Sequence, residues 1–122
     1  MTIGIDMMGG DYAPREALLG VDLFLFEPLY RAKLKLIGDE AQLRAHYPRL
    51  PDSVTIIPTT EVIGMHEPPT RALREKPNSS MSVGFSLLAN GEIDAFISAG
   101  NTGAIDRKST RLNSSHSSVS RM

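Results

Sequence analysis

Asn101 and Thr102 stand between Gly100 and Gly103, directly after a short apolar run from Ile93 to Ile97. The pattern predicts a buried strand running into a tight turn, with a helix to follow. Two glycines permit positive φ and let a ligand approach the backbone closely. Asn101 and Thr102 carry side chains suited to capping that helix. A helix start offers free N–H groups and the positive end of its dipole, so the turn reads as an anion site of the phosphate type at the end of a strand.

Three other groups of residues could take part in such chemistry. Thr70, Arg71, Arg74 and Lys76 form a small basic cluster in which Arg71 and Arg74, three apart, share a helix face. The cluster is either a solvated face pairing with Glu75 or Glu67, or an anion site, since Arg forks phosphate and Lys adds a point charge. Ser79 and Ser80 at a helix start add hydroxyl and N–H donors. Asp6 and Asp11 flank Gly9 and Gly10 near a strand end. On the plain reading Asp6 ends the strand and Asp11 caps a helix. On the functional reading one of them orients a catalytic group or a substrate donor. A magnesium site is weaker, because it usually needs phosphate and water as further ligands. Met65 and Met81 read as core filler.

The elements that must position these residues follow from periodicity and breakers. Thr2 to Asp6 is a short apolar strand, and Pro14 opens a helix to about Glu27. Leu34 to Ile37 is a second strand. Asp39 and Gln42 have capping-box spacing for a helix to about Tyr47. Val54 to Ile57 is a third strand, and a short helix opens at Pro69 or Thr70 and runs to Lys76. Met81, Phe85 and Leu88 stack on one face of the next helix, which stops near Asn90-Gly91. Ile93 to Ser98 is the fourth strand. Alternating short apolar strands and helices predict an α/β fold with a mainly parallel sheet covered on both faces. The turns at Gly9-Gly10, Gly38 and Gly100 to Gly103 all follow strands, so they share the rim where such sheets gather ligands.

Composition narrows the field. The 122 residues suit one domain, and a hydrophobic content of 41% is ordinary for a folded chain. A net charge of −1 gives no general case for nucleic acid. The absence of cysteine excludes disulfides, thiolate nucleophiles and Cys-based zinc sites. His46, His66 and His116 are scattered and show no metal-ligand spacing, so neither metal nor cofactor is expected. No apolar run has the length of a membrane span, and no signal peptide is evident, so a cytoplasmic protein is expected.

Five motifs then combine in order. They are Ile5-Asp6-Met7-Met8-Gly9-Gly10-Asp11 with Ala13-Pro14, Leu36-Ile37-Gly38-Asp39-Glu40, Glu61-Val62-Ile63-Gly64-Met65, Arg74 and Lys76 with Ser79-Ser80-Met81, and Ser98-Ala99-Gly100-Asn101-Thr102-Gly103-Ala104. Their order and spacing resemble the bacterial phosphate acyltransferases of phospholipid synthesis over about residues 2–105. Met7 stands where that family usually has Ala, and Glu67 where it often has Asp.

The resemblance implies an isopropylmalate-dehydrogenase-like α/β/α sandwich, truncated here. It also implies transfer of a fatty acyl group from acyl carrier protein to inorganic phosphate. A homodimer loosely associated with the inner face of the cell membrane is implied as well. Attack of phosphate on a thioester needs a held dianion and a stabilised oxyanion but no protein nucleophile. Asn101 and Thr102 are then the candidate catalytic residues. Gly100, Gly103, Ser79, Ser80, Arg74 and Lys76 are candidates for substrate or phosphate binding, and Asp6, Gly9, Gly10 and Asp11 shape the rim. Two alternatives stand beside this. One is a phosphotransacetylase-like enzyme using coenzyme A thioesters, and the other an inert fragment that at most binds anions.

The last seventeen residues differ from all before them. Six of residues 106–122 are serine and four are Lys or Arg, without an apolar period. They read as a flexible, non-native tail, resembling read-through of adapter or vector sequence joined after Ile105.

Overall fold

The computed structural model describes residues 1–9, 13–25, 32–64, 66–100 and 118–121. The elements, in chain order, are β1 (Thr2–Asp6), α1 (Arg15–Leu25), β2 (Lys33–Gly38), α2 (Glu40–His46), β3 (Val54–Pro58), α3 (Pro69–Glu75), α4 (Ser80–Ala89), β4 (Ala95–Ser98) and β5 (Ser118–Arg121). The strands form one sheet in the order β3-β2-β1-β4-β5, and every pairing is parallel.

Alternation along the strands builds two cores. Leu34 and Leu36 of β2, with Val54 and Ile56 of β3, pack against Ala17, Leu18 and Val21 of α1 and Leu43 of α2. Ile37 of β2 and Phe96 of β4 lie on the opposite face, under Ala72 of α3 and Met81, Phe85 and Leu88 of α4. The result is an α/β/α sandwich, as the spacing predicts. Phe96, Leu36 and Ile37 are fully buried, and each side chain of this kind contributes about 1.5–3 kcal/mol. The closest packing is at Gly84 of α4. A Cβ there would lie 2.2 Å from the Phe96 ring, which is itself edge-on to Phe85 at 5.1 Å between centroids.

Local signals act as expected. The Asp39 carboxylate accepts from the Ala41 and Gln42 N–H groups at 3.0 and 3.4 Å, and the Gln42 amide returns to it at 3.0 Å. Ser79 caps α4 by accepting from the Ser82 N–H at 3.1 Å. At the amino-terminal end of the sheet, Thr2 N–H donates to the Asp94 carboxylate at 2.8 Å, and Asp94 N–H donates to the Thr2 carbonyl at 2.7 Å.

The structure differs from the sequence reading at the far end of the chain. Ser118–Arg121 pair with all of β4, from Ala95↔Ser118 to Ser98↔Arg121. The outer edge of β4 presents a row of backbone donors and acceptors, and a short extended segment can satisfy them whatever its composition. Residues 106–117 lie outside the described residues.

Candidate functional site

The strand order creates the site. From β1 the chain steps to β2 and β3 on one side, then returns to lay β4 on the other side of β1. The carboxyl ends of β1 and β4 therefore flank the topological switch point, where open α/β sheets hold ligands.

Asp6 ends β1 and Ser98 ends β4, with Ile5↔Ile97 as the last pair before them. Both side chains are buried, at 1% and 0% exposure. The Ser98 hydroxyl donates to Asp6 Oδ2 at 2.7 Å, while the Met8 N–H donates to Oδ1 at 3.0 Å. The Gly100 N–H in turn donates to Ser98 Oγ at 3.0 Å. Burial pushes the Asp6 carboxyl above its ordinary range, opposed by hydrogen bonds from the Ser80 and Ser98 hydroxyls and the Met8 and Gly9 N–H groups. One carboxyl thus ties together the loop after β1 and, through Ser98, the loop after β4.

The two loops touch at their glycines. A Cβ on Gly9 would stand 2.8 Å from both Asp6 Oδ2 and Gly100 N. A Cβ on Gly100 would meet Met81 Cε at 2.5 Å. The missing side chains let the loops interlock around Asp6 and against α4. At the end of β2, a Cβ on Gly38 would come within 3.0 Å of the Met8 side chain, so the neighbouring loop is packed in the same way.

Ser80, predicted as a donor at this rim, is brought to Asp6, and the buried Ser79 is spent on capping α4. The Lys76 side chain is held in a clasp. Its ammonium donates to Glu67 Oε1 at 2.6 Å and to the Val62 carbonyl at 2.8 Å. The hydrogen bond from Lys76 holds the Glu67 carboxyl below its ordinary range, assisted by the Gly64 N–H. Arg71 pairs with Glu75 at 3.1 Å, and Arg74 is exposed on α3. The solvated-face reading therefore accounts for Arg71 and Lys76. Gly10, Asp11, Asn101, Thr102 and Gly103 lie outside the described residues. Ser98 is the site residue that sequence reasoning missed. Its one signal is a serine closing an apolar strand.

A model of the family described as fatty acid synthesis protein matches residues 1–122. The chain belongs to this family. Among the curated relatives of this fatty acid synthesis family chain, a phosphate acyltransferase of Thermoanaerobacterium thermosaccharolyticum is 46% identical over 105 residues, covering 86% of this chain and 31% of the relative. One of Pelotomaculum thermopropionicum is 47% identical over 106 residues, covering 85% and 30%. One of Brevibacillus brevis is 42% identical over 106 residues, covering 86% and 31%. The chain therefore spans less than a third of the length of these relatives. Among its described residues, no group of His, Cys, Asp and Glu could hold a metal ion, and no helix is long and apolar enough to cross a membrane.

Proposed function

We propose that this chain is the amino-terminal part of an enzyme that transfers a fatty acyl group from acyl carrier protein to inorganic phosphate. The relatives' name, phosphate acyltransferase, supports the reaction class. The observation that carries the reading to a place in the fold is the Asp6–Ser98 bond across the switch point. It organises two glycine loops at the rim where an anion is expected.

In the reaction, a phosphate oxygen forms a bond to the thioester carbonyl carbon. The C–S bond then breaks, and the carrier protein leaves as a thiolate that takes up a proton. The protein must hold phosphate in line with the carbonyl and supply donors to the developing oxyanion. Asn101 and Thr102, with the backbone of Gly100 and Gly103, are proposed for that task, and the α4 start with Ser80 for the nearby wall. Residues 1–105 are proposed as the acyltransferase part. A homodimer and contact with a membrane surface are proposed for the full-length protein on the resemblance alone.

The test uses a full-length protein that carries residues 1–105. It is given acyl-acyl carrier protein or an acyl-coenzyme A with varied phosphate. Free carrier protein and acyl phosphate are expected, both depending on phosphate. Turnover confined to the coenzyme A thioester would overturn the choice of acyl donor. The absence of phosphate-dependent turnover with either donor would overturn the reaction.

A further inference from the structure

Asp6 and Ser98 do more than close two strands, because hydrogen bonds from both loops converge on the Asp6 carboxyl. Asp6 is anchored from its own loop by the Met8 N–H at 3.0 Å. It accepts the Ser98 hydroxyl at 2.7 Å, which fixes the rotamer of Ser98 and turns an oxygen lone pair toward the chain ahead. The Gly100 N–H donates to that lone pair at 3.0 Å. The direction of the backbone leaving β4 is thereby set by a carboxyl on β1.

The surroundings leave little slack. Both side chains are buried, and Gly9 fits against Asp6 and Gly100 with no room for a Cβ. Met81 of α4 closes the other side of Gly100.

We propose that Ser98, oriented by Asp6, is a positioning residue for acyl transfer, holding the Gly100 backbone in place at the rim where phosphate is proposed to bind. This rests on the reading of the chain as part of a phosphate acyltransferase. Ser98→Ala removes the link while keeping the strand. A displacement of the following backbone by a fraction of an ångström to an ångström then acts on the rate, since misplacement on that scale costs up to about 100-fold.

The experiment compares full-length parent, Ser98→Ala and Ser98→Thr in phosphate-dependent release of free carrier protein from acyl-acyl carrier protein, with melting temperatures measured alongside. Ser98→Ala is expected to lower kcat by roughly 10- to 100-fold with KM for the thioester unchanged. Its melting temperature should fall by a few degrees, because Asp6 Oδ2 and the Gly100 N–H each lose a partner, while the protein stays folded at the assay temperature. Ser98→Thr keeps the hydroxyl and should recover most of the rate. Ser98→Ala turnover within about twofold of the parent would overturn the proposal, because the rate would then not depend on the link. A lost rate matched by a large drop in melting temperature, or a folded Ser98→Thr as slow as Ser98→Ala, would overturn it as well. A parent without phosphate-dependent turnover would instead refute the underlying reading.

Discussion

Gly9→Ala separates two reasons for a glycine at the rim. In one, Gly9 is bare so that a ligand can approach the backbone. In the other, it is bare because two loops interlock there. The structure supports the second in numbers: a Cβ at Gly9 would lie 2.8 Å from Asp6 Oδ2, 2.8 Å from Gly100 N and 3.1 Å from Gly100 Cα. None of these atoms is the free end of a flexible side chain. The carboxyl is held by Met8 and Ser98, and the other two atoms are backbone. Relief requires moving the Gly100 loop or breaking the Asp6 bonds, and overpacking of this kind costs about 1–3 kcal/mol. Gly20 supplies the control. It lies within α1, and a Cβ there would meet nothing within 4 Å. Gly20→Ala should gain about 0.5–1 kcal/mol from helix propensity. Urea unfolding of the full-length parent and both variants gives the comparison, provided the m-values agree. Gly9→Ala should unfold at lower urea than the parent and Gly20→Ala at higher. A Gly9→Ala protein as stable as the parent would refute the interlocking account.

Two further expectations follow from packing and charge. Gly84→Ala places a methyl group 2.2 Å from the buried Phe96 ring, so it should cost about 1–3 kcal/mol in the same assay and change the near-ultraviolet signature of the Phe85–Phe96 pair. At the opposite end of the sheet, the Tyr47 hydroxyl donates to Asp22 and to the Leu18 carbonyl, and His46 meets Asp22 at 3.1 Å. Tyr47→Phe should cost about 0.5–1.5 kcal/mol for the single O–H donor lost. The hydrogen bond from Tyr47 is the main cause holding the Asp22 carboxyl below its ordinary range, with His46 adding to it. Stability from that carboxylate is therefore present above its unfolded pKa and is lost as pH falls through the lower folded value. Asp22→Asn should flatten this acid limb of stability against pH, and an unchanged limb would contradict the assignment.

Much of the fold is legible because local and tertiary preferences agree. Asp39 with Gln42 encodes the start of α2, and Ser79 encodes the start of α4, through side-chain bonds that need no distant partner. Met81, Phe85 and Leu88 encode the buried face of α4, and all three lie in the core. The helix after Pro14 and all four apolar strands occur where periodicity places them. The site was less legible. Asp6 reads either as a strand-ending acid or as a rim residue, and Ser98 stands in a motif without a role of its own. What joins them is that β1 and β4 are neighbours, and adjacency across a crossover is not written in either strand. Lys76 is open in the sequence between a solvated face and an anion site. Glu67 and the Val62 carbonyl lie within reach only once the loop has folded back. Ser118–Arg121 were read as unordered because their composition cannot fill a core, whereas an edge strand asks chiefly for backbone.

The central claim is that acyl transfer takes place at the carboxyl ends of β1 and β4. A crystal structure of the full-length protein soaked with phosphate tests it most directly, with an unreactive acyl phosphate analogue as the second ligand. The phosphoryl group is expected beside Gly100 and the start of α4, with the Asp6–Ser98 bond intact beneath it. A phosphoryl group bound at another edge of the fold, with the β1–β4 rim packed shut in both complexes, would contradict it.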